Sequence, residues 1–176
     1  MGAAVVGLAC CVALLALLVA GLTRRVVRAE RLVDELATMA RPDTSRPERD
    51  PLVGAEAPPV RGVDPAGVAA EAPAGGRLVL AFLTGGCSPC RAFWSALAGG
   101  RRPGMPAVVV TPSPTTESSR AVAALAGGEV PVVMSSEAWL AYRVRGAPWF
   151  AVVDGGRVVA EGRVERWEDL EALAGR

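Results

Sequence analysis

The chemistry of this 176-residue chain lies in Cys87-Ser88-Pro89-Cys90. Two cysteines at positions i and i+3, where an apolar strand gives way to a helix, suit reversible disulfide formation. The first sulfur stands at the helix N-terminus, where unpaired N–H groups and the helix dipole favour thiolate over thiol. The thiolate is the attacking species, and the second cysteine resolves the mixed disulfide that results. Two plainer readings fare less well. A structural zinc needs four ligands, the other cysteines are Cys10 and Cys11 in an N-terminal apolar segment, and the chain has no histidine. A purely structural cross-link would close a loop of four residues and stabilise little. The missing histidine also excludes Ser-His-Asp and Cys-His catalysis and any His-containing metal site. No metal and no cofactor is expected.

These cysteines need elements to hold them. Arg77 to Leu83 is a short, almost wholly apolar run, the pattern of a strand buried on both faces. Thr84-Gly85-Gly86 breaks it, and Cys90 to Ala98 reads as a helix with Phe93, Trp94 and Leu97 inward, ended by Gly99-Gly100. Ala107 to Val110 and Val130 to Met134 read as further strands. Helices are expected from about Glu117 to Ala126 and from Ser136 to Arg143, the latter capped by Ser135 or Ser136. Trp149 to Val153 and Val158 to Gly162 flank Asp154-Gly155-Gly156 as a hairpin, and a helix from Arg166 to Ala174 closes the chain. The expected class is α/β with a mixed central sheet. Pro148, just before a strand, suits a cis peptide; an ordinary trans edge proline is the alternative.

The N-terminus reads as a membrane anchor over residues 1–23. Residues 3–22 carry no charge, and twenty helical residues span roughly 30 Å of hydrocarbon. A cleaved signal peptide would want a positive n-region and a shorter apolar core. A lipoprotein site at Cys10 would need more apolar sequence before it and a leucine where Gly7 stands. Val26, Ala29, Val33, Leu36 and Ala40 then repeat at helical spacing as a stalk over 24–40, either a short coiled-coil seam for a weak homodimer or a face lying on lipid. Prolines and mixed charges over 41–52 form a linker, leaving 53–176 as the folded domain. Arg24, Arg25, Arg28 and Arg31 follow the span directly, so the positive-inside rule alone puts that domain in the cytoplasm. Formal net charge is +1 with both signs interleaved, which offers nucleic acid no basic field.

From Val53 to Arg176 the chain resembles membrane-anchored thioredoxin-like proteins of the TlpA/ResA type, with the methylamine-utilisation MauD group as neighbours. Four segments carry the likeness: Gly54 to Val60, Cys87-Ser88-Pro89-Cys90-Arg91, Tyr142 to Pro148, and Asp154 to Val159. The loop and helix between Pro112 and Ala126 match the family's central elaboration. The resemblance implies a thioredoxin-like fold with an N-terminal transmembrane helix, Cys87 as nucleophile and Cys90 as resolving thiol. Gly86, Ser88 and Pro89 would form the active-site loop, and Ala147 with a cis Pro148 would shape substrate docking. It implies reduction of disulfides in exported proteins, apocytochromes c among them, with a membrane thiol-electron donor. It therefore favours an extracytoplasmic domain, against the arginine count.

The chain departs from the family in two places. Gly86 stands where the family usually has Trp, and the strand from Leu78 to Leu83 holds no acid to serve as base for Cys90. Rival readings exist. Thr84-Gly85-Gly86-Cys87 matches the T-x-x-C of peroxiredoxins, but Leu80 replaces the proline expected before it. Copper delivery would want a histidine, and a non-catalytic membrane-tethered binding module is the third alternative.

Overall fold

A run in which every residue is apolar is stable where both faces are covered, and Leu78 to Leu83 finds that place in the interior of a sheet. The computed structural model describes residues 51–176. The anchor expected at 1–23, the stalk at 24–40 with its dimer seam, and the linker up to residue 50 lie outside the described residues. Among those described, no helix is long and apolar enough to cross a bilayer.

The described strands are β1 (Arg61–Val63), β2 (Ala69–Glu71), β3 (Arg77–Phe82), β4 (Ala107–Thr111), β5 (Val132–Met134), β6 (Trp149–Asp154) and β7 (Arg157–Gly162). The helices are α1 (Cys90–Ala98), α2 (Ser119–Ala126), α3 (Ser136–Ala141) and α4 (Trp167–Ala174). The strands form one mixed sheet in the order β2-β1-β5-β4-β3-β6-β7. β3, β4 and β5 run parallel; β6 pairs antiparallel with β3, and β7 with β6.

Alternation along β3 divides the core. Val79, Ala81 and Leu83 face a cluster that includes Phe93, Trp94 and Leu97 of α1, Val122 of α2 and Leu170 of α4. Leu78, Leu80 and Phe82 face the opposite cluster, with Ala138 of α3 and Tyr142. Tyr142 donates its hydroxyl to the Pro58 carbonyl at 3.0 Å and so ties the leading segment to that face. Burial, with the nearby Glu161 charge adding to it, pushes this phenol's pKa well above its ordinary value.

Local chemistry explains most boundaries. The β6–β7 turn puts Gly155 and Gly156 at φ of 54° and 77°, the left-handed region of a tight hairpin. Ser135 caps α3, accepting from the Ala138 N–H at 3.1 Å, while Ser136 instead takes the Ser113 N–H at 2.9 Å. Two helices are each two residues shorter than the sequence suggests. Ser118 caps α2 by accepting from the Ala121 N–H, so Glu117 lies before the helix, not in it. α3 stops at Ala141, because Arg143 takes a φ of 53°.

The edge hairpin β1–β2 is absent from the sequence expectation, since three-residue strands built from Gly, Ala, a single Val and charged residues show no periodic signal. Gly62 fixes its seat: a Cβ there would collide with the Met134 carbonyl oxygen and stand 3.1 Å from Ser135 Cβ. We expect Gly62→Ala to lower stability by about 2 kcal/mol, the ordinary scale of an overpacked contact against backbone. Gly75, where an added Cβ would meet nothing within 4 Å, is the control site. Urea unfolding of the two alanine variants checks this, and coincident midpoints would mean that β1 does not seat against β5.

Candidate active site

Strand β3 ends at Phe82, and the chain turns through Thr84-Gly85-Gly86 before α1 begins at Cys90. Cys87 and Cys90 are joined by a disulfide, with Cα atoms 5.2 Å apart. The two sulfurs differ in access: Cys90 is fully buried in the core under α1, whereas Cys87 is half-buried between exposed Gly86 and Ser88. Of the pair, Cys87 is the residue open to solvent. Pro89 occupies the N-cap position of α1 and offers no side-chain acceptor, and no acid stands in the first turn. The positive end of the helix is therefore not neutralised by a side chain there. Instead the Cys90 N–H donates to Cys87 Sγ at 3.2 Å, as well as to the Cys87 carbonyl at 3.1 Å. An N–H aimed at that sulfur stabilises the thiolate over the thiol once the disulfide opens.

The loop is held from below. Trp94 is 1% exposed and its indole Nε1 donates to the Thr84 carbonyl at 3.3 Å, tying the first turns of α1 to the end of β3. Gly85 donates its N–H to the Glu117 carboxylate, which arrives from the loop before α2. No acid comes from the strand beneath the disulfide, in keeping with its sequence; this carboxylate comes from 32 residues away instead. Sequence reading missed it, because nothing in a lone Glu among Pro, Ser and Thr announces which backbone it will meet.

Register brings the second half of the site to the first. β6 runs antiparallel to β3 with Trp149 opposite Phe82, so the residues just before Trp149 and just after Phe82 leave the sheet at the same end. Pro148 is buried, Ala147 packs on the same core cluster as Cys87, and the Ala147–Pro148 peptide is cis. A sizeable cavity lies elsewhere. About 710 Å³ in volume, it is lined by Pro106, Ala107 and Val108 at the start of β4, by Pro131 and Val132 at the start of β5, and by the β1–β2 turn. Those are the amino ends of the parallel strands, whereas Cys87 follows the carboxyl end of β3, so the cavity lies at the other end of the strands from the disulfide.

No protein-family model matches this chain, and no curated protein matches it. Solved structures do. The thioredoxin domain of a thiol-disulfide oxidoreductase from Bacteroides vulgatus superposes with a TM-score of 0.54 at 21% identity, covering 68% of this chain and 93% of that one. A thiol:disulfide interchange protein from Bacteroides sp. gives a TM-score of 0.55 at 19% identity, over 72% and 92% of the two chains. A secreted Mycobacterium tuberculosis disulfide oxidoreductase, homologous to E. coli DsbE, gives 0.54 at 15% identity, over 65% and 93%. At such identities the likeness establishes the fold, which is thioredoxin-like.

Proposed function

We propose that this chain is a thiol-disulfide oxidoreductase, tethered to the membrane by its N-terminal segment, that reduces disulfides of exported proteins. The observation that carries the reading is the asymmetry of the Cys87–Cys90 pair: one sulfur reachable and facing a helix N–H, the other buried at the start of that helix. The solved structures of this fold named as oxidoreductases support it.

In the reduced protein the Cys87 thiolate attacks one sulfur of a partner disulfide, and the partner's other sulfur leaves as a thiolate that takes a proton. The Cys90 thiol then loses its proton and attacks Cys87 Sγ, which expels the partner's second thiol and closes the Cys87–Cys90 disulfide. Two electrons pass to the partner, and a dithiol donor returns the chain to its reduced state. Ala147 and Pro148 present backbone beside the sulfurs for an extended partner segment, in the manner of an added strand. Gly86, Ser88 and Pro89 leave the approach to Cys87 open. The arrangement suits partners in an oxidising compartment, where disulfides persist, and so an extracytoplasmic domain. Apocytochromes c are one class of such partners, and a membrane thiol carrier is the proposed donor.

Purified full-length protein should accelerate dithiothreitol-driven reduction of insulin, and Cys87→Ser should return the rate to that of dithiothreitol alone. A wild-type protein that is folded and reduced yet no faster than dithiothreitol would defeat the reading in favour of a binding module.

A further inference from the structure

Glu117 is the acid that the strand beneath the disulfide lacks, and its surroundings are unusual for a carboxylate. One oxygen accepts the Gly85 N–H; the other, Oε2, is buried and has no hydrogen-bond partner among the described residues. Buried polar atoms are almost always paired, so an orphan oxygen calls for an explanation, a redox role among them. The contact is also close-fitting: a Cβ on Gly85 would lie 3.0 Å from Glu117 Oε1 and 3.2 Å from Leu125 Cδ1. Glu117 makes no ion pair with any described residue. Around the redox loop stand α1, the segment from Pro112 through α2, and the segment from Arg143 to Pro148. Their charged groups are Arg91, Arg120, Arg143, Arg145 and Glu117, so Glu117 is the one carboxylate on them.

We propose that Glu117 is a positioning residue of the Cys87–Cys90 centre, which pins the loop through Gly85 and whose charge sets the pH at which Cys87 becomes a nucleophile. The proposal deepens the oxidoreductase reading and rests on it. Gly85 is two residues from Cys87, which bounds the distance from carboxylate to sulfur at about 14 Å. A negative charge at that range, partly shielded from water, disfavours the thiolate by about 0.5 to 1 pH unit. Glu117 thus opposes the α1 N-terminus and the arginines, and keeps the nucleophile from standing permanently ionised.

The test uses the full chain in detergent, with Cys10 and Cys11 replaced by Ala, reduced and then alkylated with iodoacetamide across a pH range. Mass mapping follows the Cys87 peptide. In Glu117→Gln the amide oxygen can still accept from Gly85 while the charge is gone. Its Cys87 midpoint should fall by ~0.5–1 unit, and its rate at pH 7 should rise about two- to threefold, since a weaker base is also a weaker nucleophile. Glu117→Asp should keep the wild-type midpoint, and the unfolding midpoint of the Gln variant should stay near wild type. A Gln variant whose Cys87 profile overlays wild type would reduce Glu117 to a strut, and a profile displaced to higher pH would reverse the assigned sign. Because iodoacetamide needs no protein partner, these outcomes are read whether or not the chain reduces insulin.

Discussion

Replacing Cys90 with Ser is expected to convert a turnover catalyst into a trap. The substitution is nearly isosteric at a site with no solvent exposure, so the fold should tolerate it. Cys87 keeps its half-open position and can still attack a partner disulfide, but a hydroxyl cannot resolve the product. Turnover should fall to the uncatalysed background, and mixed disulfides should accumulate in cells as high-mass bands that vanish on reduction. Mass spectrometry of those bands names the partners. Cys87→Ser should yield none, because the remaining sulfur is buried. Both variants carry Cys10→Ala and Cys11→Ala, so that no other thiol can contribute. Adducts in Cys87→Ser but not in Cys90→Ser would exchange the two roles.

The second large effect concerns Trp94. It fills the space between α1 and the sheet at 1% exposure and also anchors the Thr84 carbonyl, three residues before Cys87. Trp94→Ala should cost about 4 kcal/mol, the range for deleting a large aromatic from a core that cannot collapse around the void. Trp94→Phe keeps most of the volume and loses the indole N–H; about 1 kcal/mol is expected, the scale of one hydrogen bond. Denaturant unfolding measures both. If the two variants proved equally stable, the indole would owe its place to the hydrogen bond and not to its bulk.

What could be read in the sequence was whatever local chemistry determines. The unbroken apolar run of β3 and the paired glycines after Asp154 each fix an element within a residue or two, because the pattern and its physical cause lie side by side. The Cys90–Ala98 helix lies between Pro89 and Gly99 for the same reason. β1 and β2 were not legible. Their stability comes from seating against β5 across a glycine, a contact with no trace in a string of Arg, Gly, Val and Ala. Glu117 was invisible on the same ground: its meaning depends on a backbone N–H 32 residues away. The placement of Pro148 beside the redox loop was available only through family resemblance, since the pairing of Phe82 with Trp149 is a tertiary fact.

That pairing separates the history of the two halves of the site. The sulfurs are three residues apart, so a denatured or half-synthesised chain can open and close their bond with no sheet at all. The ledge around Ala147 and Pro148 exists only after β6 has docked on β3, across more than sixty positions of chain, a loop closure that is slow because its entropy must be lost before the contacts form. A newly made molecule therefore carries a bare dithiol first, and the backbone of Ala147 and Pro148 joins it only when the chain completes its fold.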